Sequence, residues 1–260
     1  MMQQSSPPDA NADDHMDAFL YLVNHELKTP LTALKIYVEL ANRRAHKLDA
    51  QLNDAQLTNE VGASDSFDPL LLLLQRAENQ ANRLTQLVGD LVEAYTFRTE
   101  PLTIHRERCN LMDIVDACVT EQQHMWPTRT IRVKAPSRHT PSLLVMGDPL
   151  RLRQVINHYF QHAFTHAATD EPITIQVSHD RTMGHICVID QHLSLSPASQ
   201  AQLWDWSQPL ASDIDASNGL EVGLYLSKQI IELHGGTVGV TSTARQGTSI
   251  WLTLPVCVAN

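Results

Sequence analysis

From Leu20 to Ala41 the apolar residues Leu20, Val23, Leu27, Leu31, Leu34, Val38 and Ala41 follow one another at spacings of three and four. Such a stripe marks an amphipathic helix in near-heptad register, and its narrowness suits packing against other helices. After a polar break at 53–68, a second stripe runs through Ala77, Ala81, Leu84, Val88, Leu91 and Tyr95. Two helices joined by a turn form a hairpin, which covers only one side of each stripe. A second copy is the simplest way to bury the rest, so the spacing predicts a homodimeric four-helix bundle over residues 15–100. Ahead of it, Met1 to Asp14 lacks large apolar side chains other than Met and is expected to be a disordered tail.

Past Pro101 the period changes. Short runs read as strands at 102–106, 130–135, 143–146, 173–178, 185–190, 237–243 and 248–254, alternating with helical stretches at 112–124, 149–168 and 220–234. Strand pairs punctuated by helices imply a mixed sheet with helices on one face, so residues 101–260 form an α/β sandwich and the whole chain is α+β. The stretch 191–218 has no period and reads as a functional lid.

A net charge of −10 argues against a nucleic-acid-coating or anionic-membrane role. The longest aliphatic run, Leu70 to Leu74, is far short of a membrane span, and no basic-then-apolar signal opens the chain. Cys109, Cys118, Cys187 and Cys257 show no CxxC spacing, so four buried thiols in a reducing cytoplasm are expected.

Chemistry concentrates in His25-Glu26-Leu27-Lys28-Thr29-Pro30-Leu31-Thr32. His25 stands about 200° round the helix from Leu27, toward solvent. With Glu26 holding one ring nitrogen, the other is free to act as a nucleophile toward phosphorus. Pro30 should kink the helix just beyond. A lone histidine here would be ordinary surface; the whole octapeptide asks for more.

That octapeptide resembles the phosphoacceptor box of the sensor histidine kinases of two-component signalling. The resemblance implies a dimerisation and phosphotransfer domain followed by an ATP-binding domain of the Bergerat fold. It further implies His25 as phosphoacceptor, Glu26 as its acid/base partner, and Thr29 as the group positioning water in the phosphatase reaction. The expected partner is the receiver domain of a response regulator, with a partner histidine kinase as a further possibility, and the expected ligands are ATP and Mg²⁺.

The second half is similar to that family box by box, with departures. Gly147-Asp148-Pro149 leads into the helix that carries two Asn residues four apart in the family. Anchored on Ala163, those positions are His158 and His162, while Asn157 lies about 100° away. Mg²⁺ prefers oxygen donors, so imidazoles suit it poorly. The adenine box keeps Asp190 but carries His192 and Ser194 in place of glycines. The phosphate-side box reads Gly219-Leu220-Glu221-Val222-Gly223-Leu224, where a helix N-terminus attracts anions and Glu221 competes for it. A carboxylate ~4 Å from a phosphate costs about 1 to 4 kcal/mol according to dielectric. Thr165 replaces a basic residue, and 193–218 contains Asp205, Asp213 and Asp215 with no Lys or Arg. His234-Gly235-Gly236 and Gly247-Thr248 match the family's C-terminal boxes.

The chain therefore reads as a two-component protein passing phosphoryl groups through His25 to a regulator aspartate, its own ATP use impaired. The alternative is a pseudokinase adaptor that docks a regulator or partner kinase without ATP. His158, His162 and His166 also line one helix face at i, i+4 spacing. They could share a late transition metal as part of a metal-responsive switch, or reflect a nucleotide site released from its original task.

Overall fold

The computed structural model describes residues 27–48, 67–99, 102–135, 143–166, 171–191, 194–204, 222–243 and 246–257. The expected tail at Met1–Asp14 and most of the expected lid lie outside these residues. The chain divides into two compact units, Met1–Val92 and Glu93–Asn260.

In the first unit a helical hairpin is formed by α1, helical at 27–48, and α2, Asp68–Thr99, whose last turns belong to the second unit. Each apolar stripe divides along its length. Pro30, Ala41, Ala77 and Leu91 are buried and Leu27, Leu34, Ala81 and Leu84 half-buried, whereas Leu31, Val38 and Val88 stand exposed. One hairpin thus leaves part of its own seam in water. Among the described residues no helix is long and apolar enough to cross a membrane.

The second unit contains β1 (Glu107–Asn110), α3 (Leu111–Met125), β2 (Ile131–Lys134), β3 (Leu144–Gly147), α4 (Pro149–His166), β4 (Ile173–His179), β5 (Met183–Asp190), α5 (Pro197–Gln202), α6 (Val222–Leu233), β6 (Thr237–Thr243) and β7 (Gly247–Pro255). Five strands form a mixed sheet in the order β2-β4-β5-β7-β6, with β2 and β4 parallel and the other neighbours antiparallel. On β5, Gly184, Ile186, Val188 and Asp190 are buried and the residues between them half-buried, the alternation of a sheet covered on one face. Helices α3, α4 and α6 supply that cover, through Val115, Val155, Phe160, Leu224 and Ile230 among others. Full burial of each such side chain contributes about 1.5 to 3 kcal/mol.

The helix ends are fixed by short-range chemistry. Asp148 caps α4, its Oδ1 accepting the amides of Leu150 and Arg151 at 3.1 and 3.2 Å, with Pro149 at the first helical position. α6 closes in the His234-Gly235-Gly236 turn. Gly235 adopts φ 79°, and the amides of Gly235 and Gly236 return to the carbonyls of Glu232 and Ile231, both at 2.9 Å.

Three expectations need correction. The strand expected at 102–106 lies instead at Glu107–Asn110, paired antiparallel with β3. The preceding residues spend their groups elsewhere: His105 N–H on Asp148 Oδ2 at 3.0 Å, and the Arg106 guanidinium on the Leu233 carbonyl. Tertiary partners override strand propensity here. Within the expected irregular stretch, Ser196 caps the short helix α5 and Pro197 opens it, a start signal that was present in the sequence. Only Cys118 is fully buried, its thiol pushed up to about 12 chiefly by desolvation; Cys109, Cys187 and Cys257 are half-buried.

Candidate functional site

Two walls can be built from the second unit's own residues. The first lies where β5 and β7 meet. Asp190 closes β5 and pairs in register with Thr248, and each is 2% exposed. Thr248 Oγ1 lies 2.8 Å from Ser242 Oγ of β6, which accepts the Leu195 amide at 2.7 Å. Gln200 of α5 donates to the Leu195 carbonyl at 3.0 Å within its own segment, and the Leu195–Ser242 bond ties that segment to the sheet edge. Gly247 sits at φ 73°, and a Cβ there would stand 1.9 Å from the Asp190 carbonyl oxygen. Only glycine lets the backbone pass this close.

The second wall is the contact between α4 and α6. His158 is 3% exposed and His162 is also buried, one turn further along α4. Ser227 Oγ donates to the Gly223 carbonyl at 2.7 Å, which spends its single proton. His158 Nδ1 lies 3.1 Å from the same Ser227 Oγ, so the ring and the hydroxyl are in hydrogen-bond contact across the two helices. The ring also lies flush on Gly223, where an added Cβ would stand 2.9 Å from His158 Cδ2. Asn157 turns elsewhere: it donates to Glu121 Oε2 and accepts from Gln122 Nε2 on α3, both at 3.3 Å. Thr165 returns its hydroxyl to the Gln161 carbonyl of its own helix.

Comparison with known proteins places this arrangement. Residues 15–98 match the family model described as the His Kinase A (phospho-acceptor) domain. Residues 147–257 match the model of histidine kinase-, DNA gyrase B- and HSP90-like ATPases. The chain belongs to the sensor histidine kinase family. It is 25% identical over 246 residues to the alginate biosynthesis sensor protein KinB of Pseudomonas aeruginosa, covering 92% of this chain and 36% of KinB. It is 23% identical over 259 residues to the adaptive-response sensory kinase SasA of Prochlorococcus marinus, covering 98% of this chain and 61% of that protein. The chain thus spans between about a third and three fifths of the length of these two curated relatives. Full-length ShkA, solved in complex with AMPPNP, has a similar fold, with TM-score 0.56 at 18% identity over 86% of this chain and 46% of ShkA.

Set against the family's boxes, the two walls fare differently. Asp190, Gly247 and Thr248 are brought together at one end of the β5–β7 pair. Gly223 lies on α6, against the His158 ring. The Mg²⁺ position does not fit, because the side chains on that face of α4 offer imidazole nitrogens instead of amide oxygens. Nor is a transition-metal centre assembled: among the described residues no group of three or more His, Cys, Asp or Glu could hold a metal ion, so His158 and His162 lack a third ligand there. The side chain of His166 and the residues His25, Glu26, Gly219 and Glu221 lie outside the described set; Thr29 is described and exposed on α1. Sequence reasoning missed Ser227 and Ser242. Neither has a sequence signal, since each acquires its role only when α6 meets α4 or β6 meets β7.

Proposed function

We propose that this chain is the phosphotransfer and nucleotide-binding portion of a sensor histidine kinase acting in two-component signalling. A ring nitrogen of His25 attacks the γ-phosphorus of ATP, ADP leaves, and the phosphoryl group then passes to an aspartate on the receiver domain of a response regulator. Glu26 holds the proton-bearing ring nitrogen, and Thr29 positions the water that hydrolyses the phosphorylated partner, releasing inorganic phosphate, in the phosphatase reaction. The observation that carries this reading is the match of residues 15–98 to the phospho-acceptor domain, a span that contains the octapeptide from His25 to Thr32.

On the nucleotide side, Asp190 accepts the adenine amino group beside Gly247 and Thr248, while Gly219 and Gly223 lie along the phosphates. No step is assigned to Mg²⁺, because the imidazoles of α4 do not suit it. With Glu221 competing for the anion site, Mg-ATP should bind more weakly than about 100 μM. The domains are taken as 15–100 and 101–260, and the protein as a cytoplasmic homodimer. The exposed Leu31, Val38 and Val88 support the dimer, since a second hairpin would remove them from water.

The test is phosphate labelling of the full chain, supplied either with ATP or with a phosphorylated receiver domain. The label should be acid-labile and base-stable, as phosphohistidine is, and absent from His25→Gln with the fold unchanged. Label persisting in that variant would overturn the assignment of His25. Failure of both donors to label the wild type would leave a docking adaptor.

A further inference from the structure

His234 is buried at the end of α6, and both of its ring nitrogens are committed to backbone. Nδ1 lies 2.7 Å from the Ile230 carbonyl, which can only accept, so Nδ1 carries the proton. Nε2 lies 2.9 Å from the Asp148 amide, which can only donate, so Nε2 must keep its lone pair. The backbone therefore selects one neutral tautomer. The ring fills the space beside Gly147, where an added Cβ would stand 3.0 Å from His234 Cδ2. Through this single side chain the α6–β6 turn is tied to the β3–α4 turn.

The same junction gathers the segment ahead of β1. Asp148 Oδ2 accepts the His105 amide while Oδ1 caps α4, so the carboxylate already serves three N–H donors. The Arg106 guanidinium donates to the Leu233 carbonyl, next to the ring. Three separate pieces of chain thus converge on Asp148 and His234.

We infer that His234 is an acid-released lock: neutral, it holds the α4 and α6 ends together, and protonated, it lets them part. The imidazolium carries a proton on Nε2 as well, and that proton would point straight at the Asp148 N–H. Two donors facing each other in a buried site cannot both be satisfied. Among the described residues, two charged groups act on the ring. Arg106, from the segment before β1, repels a cation; Asp148, from the β3–α4 turn, attracts one, but its oxygens are engaged. Arg151 lies beyond it on α4. On α6 itself the exposed Glu232 lies 4.0 Å from Lys228.

Burial is the largest influence on the ring and holds its pKa below the ordinary 6.5; the Ile230 hydrogen bond and Asp148 oppose this, and Arg106 reinforces it. The Asp148 carboxyl is held low, because its N–H donors and Arg151 outweigh the opposing desolvation. Since the folded ring prefers its neutral form, the lock contributes fully above pH 6.5. Its contribution is lost as pH falls from there toward the lower folded value.

The experiment follows the His234 ring nitrogens and the Asp148 amide of the full chain by ¹⁵N NMR between pH 8 and pH 5. At neutral pH the ring should show the Nδ1–H tautomer. On acidification it should titrate below the ordinary range, and at that same pH the protection of the Asp148 amide, corrected for intrinsic exchange, should fall about tenfold or more. In His234→Gln, whose amide offers one donor and one acceptor without titrating, the step should vanish. The lock is overturned if the ring titrates while Asp148 keeps its protection, or if the step survives in His234→Gln. Should that variant fail to fold, coincidence of the two wild-type transitions still decides.

Discussion

The two walls of the candidate nucleotide site are made of different material. At the β5–β7 end the constraint on Gly247 is one of backbone: a Cβ there would stand 1.9 Å from the Asp190 carbonyl oxygen, and its φ of 73° is one that L side chains rarely adopt. At the α4–α6 contact the wall is made by side chains, the imidazole of His158 meeting Ser227 Oγ and lying against Gly223. Where the fold depends on the path of the chain, the residue cannot change without loss of the fold. Where it depends on a side chain filling a gap, another side chain of similar reach can take over, and the chemistry of the wall changes with it.

Breaking the first wall should have the largest effect. Gly247→Ala combines a left-handed φ with an impossible approach to backbone, and should cost about 3 kcal/mol or more. Urea unfolding of the full chain would show it as a loss of the second unit's transition; an unchanged midpoint would refute the backbone reading. At the second wall, Gly223→Ala places its Cβ 2.9 Å from a side-chain carbon, a lesser conflict worth about 1 to 3 kcal/mol. Because the obstacle is a side chain, His158→Ala in the same chain should return part of that loss. A double-mutant cycle with no coupling would mean that the ring does not rest on Gly223. Asn157→Ala should have the smallest effect on ligand binding. Its amide bonds to α3, so calorimetric titration with Mg-ATP should give an affinity within about twofold of the wild type. A larger change would place Asn157 in the site and shift the family register by one residue.

The strongly periodic elements were legible in the sequence. The stripes of α1 and α2, the buried runs of β4, β5 and β7, and the Pro-initiated α4 all follow from spacing and caps, because the same burial that orders them also shapes their pattern. β1 was not legible. Its residues, Glu107 to Asn110, are mostly polar, and they pair with β3 because the chain is already held there by Asp148. The site divides in the same way. Asp190, Gly247 and Thr248 stand in recognisable boxes and meet at one end of the β5–β7 pair, and the offset of Asn157 from His158 follows from helical rotation. The link from His158 to Ser227 could not be foreseen, since the two lie far apart in sequence and only the crossing of α4 and α6 brings them into contact.

The one parallel pairing among the described residues, β2 against β4, bears on the order in which the sheet is completed. β4 and β5 meet across a tight turn stabilised by Asp180, whose Oδ1 accepts the amides of Thr182 and Met183, both at 2.8 Å, so that pair closes over a short loop. β2 reaches β4 only after β3 and α4 have crossed over, and it contributes four residues at the sheet edge. Long loop closure for a short ladder makes β2 a late arrival in folding and an early departure in local opening.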